Sequence, residues 1–153
     1  MQTTTAGSIP VDQQICFALY SASRSLTALY RDLLAPLGIT YPQYLVMQLL
    51  WQGEPRTVGA LGERLELDSG TVSPLLRRLE RAGLLERRRS GIDERTVLVH
   101  LTDAGRALRE QAADIPERLC AATGLELTDI AALREQVSRL NRNVRGSLDL
   151  ASR

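Results

Sequence analysis

The most reactive group in this sequence is a thiol near the start of an apolar stretch. Cys16 stands in Gln14-Ile15-Cys16-Phe17-Ala18-Leu19-Tyr20, and Tyr20, four residues on, shares its face of a helix. Unpaired N–H groups and the macrodipole at a helix N-terminus favour a thiolate. A thiolate attacks a peroxide oxygen to give a sulfenic acid. Phenol hydroxyls stabilise such a sulfur by donating to it without adding charge, and four of the six aromatic residues are tyrosines, among them Tyr20, Tyr30 and Tyr41. Tyr30 lies fourteen residues beyond Cys16, roughly 21 Å along one helix by its rise. A reactive sulfur that meets Tyr30 therefore comes from a second copy of the chain. Cys120 is the other cysteine; a reducing cytosol disfavours a long-lived structural disulfide between the two but permits a transient redox pair. Each cysteine also admits a plainer reading, a small side chain buried on an apolar helix. With one histidine, His100, and no paired ligand spacing, the chain shows no metal site, and no cofactor is expected.

The second constellation is basic. Net charge is only +1, yet between Arg77 and Arg95 seven arginines (77, 78, 81, 87, 88, 89, 95) face four acids (Glu80, Glu86, Asp93, Glu94), so that window carries +3 and the remainder −2. A local basic patch on a near-neutral chain is the footprint of a polyanion site, although a bare run of charge more often only solvates a surface. What decides is the elements that carry it.

Apolar spacing predicts a long helix over Asp12–Leu34, with Ile15, Leu19, Ala22, Leu26, Leu29 and Leu33 on one stripe. Residues 1–10 read as a flexible arm, and residues 11–153 as one unit. Thr40-Tyr41-Pro42 opens a second helix to about Gln52, and Thr57 caps a third over Val58–Leu65. Asp68 or Ser69 caps a fourth, in which Val72, Leu75, Leu76 and Leu79 point inward while Thr71, Ser73, Arg77 and Arg78 point outward. Pro74 is tolerable there if it lies near the first turn. Leu84–Arg89 and Thr96–Leu101 read as strands joined at Ser90-Gly91, a hairpin with an arginine-rich tip. Thr102-Asp103 caps a helix to about Ala121, where Pro116 predicts a kink or break. A last helix, about Thr128 to Leu148, carries Ile130, Leu133, Val137, Leu140, Val144 and Ser147 at coiled-coil-like spacing.

The fold class is thus mainly α with a small β-hairpin wing (α+β), in the element order of a winged helix-turn-helix. Ser69, Thr71, Ser73, Pro74, Arg77 and Arg78 would enter the major groove of duplex DNA, where arginine grips guanine O6/N7. Arg87, Arg88 and Arg89 would lie on the backbone or in a narrow minor groove. No window approaches the roughly 18 consecutive apolar residues of a membrane span. Met1–Ser8 is polar and uncharged, unlike a secretory signal, so a cytoplasmic location is expected.

From about Gln13 to Leu148 the sequence resembles the MarR family of winged-helix regulators. Leu61-Gly62-Glu63, Arg77-Arg78-Leu79-Glu80-Arg81-Ala82-Gly83-Leu84-Leu85, Asp93-Glu94-Arg95 and Leu101-Thr102-Asp103-Ala104-Gly105 carry the likeness. The resemblance implies that Asp93 orients Arg95 into the minor groove. It also implies a homodimer, held by helices about 12–35 and 103–150, with a DNA-binding lobe at about 42–101. Such a dimer would read a pseudo-palindromic operator with half-sites about 34 Å apart. Three further segments, Cys16-Phe17-Ala18-Leu19-Tyr20, Ile39-Thr40-Tyr41-Pro42-Gln43-Tyr44-Leu45 and Leu67-Asp68-Ser69-Gly70-Thr71-Val72-Ser73-Pro74-Leu75-Leu76, are similar to the organic hydroperoxide resistance regulator branch. That likeness implies a repressor released when organic hydroperoxide oxidises Cys16, with Tyr20, Tyr30 and Tyr41 on its sulfur. The place of Cys120 resembles that of the second cysteine in two-cysteine members, which closes an intersubunit disulfide with the oxidised residue. Two rival readings stay open on the residues. One is a regulator of the same fold switched by a phenolic ligand and indifferent to Cys16→Ser. The other is a thiol peroxidase turning over at Cys16, for which the chain offers no acid–base pair.

Overall fold

The computed structural model describes residues 9–151, so the arm expected at residues 1–10 lies, up to residue 8, outside the described residues. Two compact units divide the chain, Met1–Ala113 and Asp114–Arg153.

In the first unit a 3-10 turn, Val11–Gln13, precedes helix α1, Ile15–Leu34, and Gln14 between them is extended. The helix therefore begins three residues later than Asp12, because the Gln13 and Gln14 amides donate to Pro10 and Val11 carbonyls in the turn. The Gln14 side chain fixes this entry by donating to the Ile9 carbonyl (2.8 Å). Only Leu33 and Leu34 of α1 are buried. Of the rest of its apolar stripe, Leu19 and Leu29 are half-buried while Ile15 (60%) and Leu26 (41%) are exposed, as is the neighbouring Phe17 (44%).

Helix α2, Tyr41–Gln52, starts on a capping box, in which the Gln43 side-chain oxygen accepts from the Thr40 N–H (2.8 Å). It buries Tyr44, Val46, Met47, Leu49 and Leu50 and so forms the hub of the unit. Strand β1, Arg56–Thr57, was not legible in the sequence. Thr57 then caps helix α3, Val58–Leu65, accepting from Ala60 N–H (3.0 Å). Helix α4, Ser69–Arg81, is capped by Asp68 rather than Ser69, through the Thr71 N–H (2.9 Å). Pro74 is its sixth residue, one turn deeper than the sequence reading allowed. The ring removes the N–H that would meet the Gly70 carbonyl; burial of Val72, Leu76 and Leu79 holds the helix together regardless.

Gly83 (φ +73°) turns the chain out of α4 into strand β2, Leu85–Arg89, which pairs antiparallel with β3, Val97–Leu101. The sheet order is β1-β3-β2, with Arg56 opposite Val99 and Arg87 opposite the same residue from the other side. Helix α5, Asp103–Gln111, is capped by Thr102 and presses its backbone onto the start of the wing. A Cβ on Gly105 would lie 1.9 Å from the Leu84 carbonyl oxygen, so only glycine fits there.

The kink or break expected at Pro116 in the helix running to about Ala121 is a full break, and it falls just before the proline. α5 stops at Gln111, and in the second unit helix α6, Ile115–Thr123, starts with Pro116 at its second position, where a missing N–H costs nothing. Helix α7, Leu127–Ala151, follows and buries no residue of its own. Among the described residues no helix is long and apolar enough to cross a membrane, and no cluster of metal-ligating side chains occurs.

Candidate nucleic-acid interface and thiol site

Burial of Val72, Leu76 and Leu79 turns the opposite face of α4 to solvent. Ser69, Thr71, Pro74, Arg77, Arg78 and Arg81 are exposed and Ser73 is half-buried. Pro74, Arg77, Arg78 and Arg81 line a shallow groove of about 230 Å³. The Thr71 hydroxyl is engaged in the cap, donating to Asp68 (3.2 Å).

In the wing the arginines divide. Strand alternation puts Arg87 on the face of buried Leu85, where its guanidinium donates to Glu80 Oε2 from Nη2 (2.9 Å) and Nε (3.1 Å). Its backbone N–H donates to Glu80 Oε1 (3.0 Å). Arg88 pairs with Glu86. Arg77, Arg78, Arg81, Arg89 and Arg95 carry no carboxylate partner among the described residues. At the tip, Asp93 accepts from the Arg95 backbone N–H (2.9 Å) and the Thr96 hydroxyl (3.2 Å), and the Ser90 hydroxyl oxygen accepts from the Ile92 N–H (3.2 Å). Asp93 thus shapes the loop that presents Arg95 by holding its main chain.

Cys16 is the second residue of α1 and is exposed. Tyr20 is also exposed, with the Arg24 guanidinium over its ring at 5.6 Å. Tyr30 and Tyr41 meet instead at the far end of α1, stacked at 4.1 Å between ring centres. Tyr44, which the sequence reading passed over as a site residue, completes the cluster, 5.9 Å from Tyr30. It is 2% exposed, and its hydroxyl accepts from Gln48 Nε2 (2.8 Å). Its only signal in the sequence is the three-residue spacing from Tyr41. Burial first, then the neighbouring Tyr41 and Tyr44 phenols, push the Tyr30 hydroxyl up to about 12, and burial raises Tyr41 as well. These hydroxyls stay protonated and able to donate throughout the ordinary pH range. Cys120, half-buried on α6, belongs to the second unit, and its carbonyl accepts from the Thr123 hydroxyl (2.7 Å).

The family model of the SarA/Rot transcriptional regulators matches residues 28–111. The organic hydroperoxide resistance transcriptional regulator of Bacillus subtilis (strain 168) is 53% identical over 106 residues, 69% of this chain and 72% of that one. Reduced AbfR bound to DNA, a protein of Staphylococcus epidermidis, superposes with a TM-score of 0.74 at 31% identity, covering 88% of this chain and 94% of that one. Its disulfide form gives 0.62 at 33% identity, over 85% and 91%. A MarR variant from E. coli gives 0.66 at 26% identity, over 83% and 96%. With these likenesses over an α4 and wing built as described, the chain belongs to the MarR family of winged-helix transcriptional regulators.

Proposed function

We propose that the chain is a homodimeric repressor that holds duplex operator DNA while Cys16 is reduced and releases it when an organic hydroperoxide oxidises that sulfur. The observation that carries this reading is the exposure of Cys16 in the first turn of a helix whose N-terminal apolar residues, Ile15 and Phe17, are exposed beside it. The name of the Bacillus subtilis relative supplies the oxidant class. AbfR is bound to DNA both reduced and overoxidised and also has a disulfide form, which supports a switch that runs through the Cys16–Cys120 disulfide rather than through oxidation of sulfur alone. The chain also superposes better on the reduced form of AbfR than on its disulfide form.

The chemistry balances as follows. The thiolate attacks one peroxide oxygen, an S–O bond forms as the O–O bond breaks, and with one proton the products are Cys16 sulfenic acid and an alcohol. The Cys120 thiol of the partner then displaces hydroxide from that sulfur, giving a disulfide and water. Tyr20, Tyr30 and Tyr41 support the sulfur, Tyr30 and Tyr41 across the dimer axis because they sit at the opposite end of α1. Ser69, Thr71, Ser73, Pro74, Arg77 and Arg78 address the major groove. Arg88, Arg89, Asp93 and Arg95 serve the wing.

The test is a mobility-shift titration on a duplex selected from a random pool by the reduced protein, with and without cumene hydroperoxide. Wild type should lose affinity by roughly a few hundred-fold, about 3–4 kcal/mol. Cys120→Ser should release only partly, and reversibly on adding a thiol. Cys16→Ser should stay bound; its release by peroxide sinks the reading, and a wild type that peroxide leaves bound favours the ligand-switched alternative.

A further inference from the structure

The sequence counts Arg87 among the DNA-contacting arginines, yet in the structure it is committed elsewhere. Both Glu80 oxygens are occupied by Arg87, one by its main-chain N–H and the other by two guanidinium nitrogens. Glu80 belongs to the last turn of α4, and Arg87 is the third residue of β2. The intervening link is itself tightly turned, with Gly83 N–H on Glu80 O (2.9 Å) and Leu84 N–H on Leu79 O (3.0 Å). A carboxylate within a DNA-binding face opposes phosphate and weakens binding to every sequence, so its presence there calls for a compensating role. With each side chain about one-third exposed, solvent screening leaves the pair little to contribute to stability. What it does fix is direction, because two carboxylate oxygens meeting one main-chain and two side-chain donors leave a single arrangement of helix end against strand.

We propose that Glu80, through Arg87, is a positioning residue for operator recognition, setting the wing at a fixed offset from α4 so that both elements read one site together. This rests on the DNA-binding reading above and deepens it. Arg87 is then no phosphate contact, and Arg77, Arg78, Arg81, Arg89 and Arg95 supply the electrostatic grip. Glu80 sets the geometry that converts general affinity into selectivity. The Arg87 hydrogen bonds also hold the Glu80 carboxyl below its usual range, against the opposing effect of burial, so the clamp persists into mildly acidic solution.

The experiment measures affinity for the selected duplex and for a scrambled duplex, each across a salt series. The proteins are wild type, Glu80→Gln, Arg87→Gln, the double variant, and the exchange Glu80→Arg with Arg87→Glu. A carboxylate that merely repels would, on becoming neutral, strengthen both duplexes alike. The clamp requires opposite signs. Glu80→Gln should bind the scrambled duplex as well as wild type or better, and lose roughly tenfold on the selected one. Arg87→Gln should lose selectivity to the same extent with an unchanged salt slope, whereas a phosphate contact would reduce that slope by about one. The double variant should be no worse than either single, and the exchanged pair should recover part of the selectivity. Thermal midpoints close to wild type exclude misfolding; a variant that melts early is judged by the exchanged pair instead. Equal strengthening of both duplexes by Glu80→Gln, or a slope loss in Arg87→Gln, overturns the clamp and leaves DNA binding standing. A wild type that binds no duplex overturns both.

Discussion

Tyr30, Tyr41 and Tyr44 show how far single residues can be read from sequence. The first two drew attention because phenols suit a sulfur. Their direct contact did not show, since Tyr30 and Tyr41 lie on helices separated by a turn at Ala35–Leu37. Tyr44 sits in an apolar run and looked like core, and it is core, with a hydroxyl satisfied by Gln48. The position of Cys16 was legible to within a turn, because apolar periodicity marks a helix well and its first residue poorly. A pH prediction follows from burial of the cluster. The folded value of Tyr30, about 12, lies above its ordinary 10.0. Its contribution to stability is therefore complete below pH 10.0 and disappears as pH rises through about 12. Thermal midpoints recorded up the alkaline limb should fall less steeply for Tyr30→Phe than for wild type; an identical slope contradicts the assignment.

Among the elements, those with strong periodicity and caps were legible, and those that depend on distant partners were not. β1 is two residues long and exists only because β3 offers an edge to Arg56 and Thr57. Pro116 was readable as an interruption, but whether it bends or ends a helix depends on whether Ala112–Asp114 can turn, which no local pattern states. Likewise Arg87 and Arg95 look alike in sequence, and only the alternation of β2 with the end of α4 distinguishes a clamp from a free cation. Two predictions belong at this scale. Gly105→Ala forces α5 off the wing base and should lower stability by roughly 1–3 kcal/mol, seen as a lower denaturation midpoint. Glu54 accepts from the Leu101 N–H and from Arg106 Nε (2.8 Å), tying the end of β3 to α5. Burial pushes its carboxyl up, but these donors and the Arg106 and His100 charges outweigh that and leave it below its ordinary 4.5. Its stabilising effect is full above pH 4.5 and lost as pH falls through the folded value. Glu54→Gln should therefore flatten the acid limb of the stability profile.

For the whole molecule, the sequence pattern marked the apolar seam of α7, and the structure leaves it open. Leu133 is 51%, Val144 51% and Leu148 62% exposed, and within the first unit Ile15 and Leu26 of α1 are exposed as well. Faces of this kind suit a second copy of the same chain, as an isologous dimer requires. Leu133→Glu combined with Val144→Glu should shift sedimentation from twice the chain mass to once and abolish operator binding at nanomolar protein. A dimer that survives both changes places the interface elsewhere. One detail of the packing has a practical use. The chain has a single tryptophan, and Trp51 donates from its indole nitrogen to the Gly105 carbonyl (2.9 Å) while its ring meets Tyr44 edge-on at 6.1 Å. Light absorbed by the tyrosine cluster is thus passed to one emitter fastened to α5, whose colour and intensity register any shift of α2 against the base of the wing. The protein carries a built-in optical gauge, so a stopped-flow fluorimeter can test with no dye attached whether added peroxide moves α2.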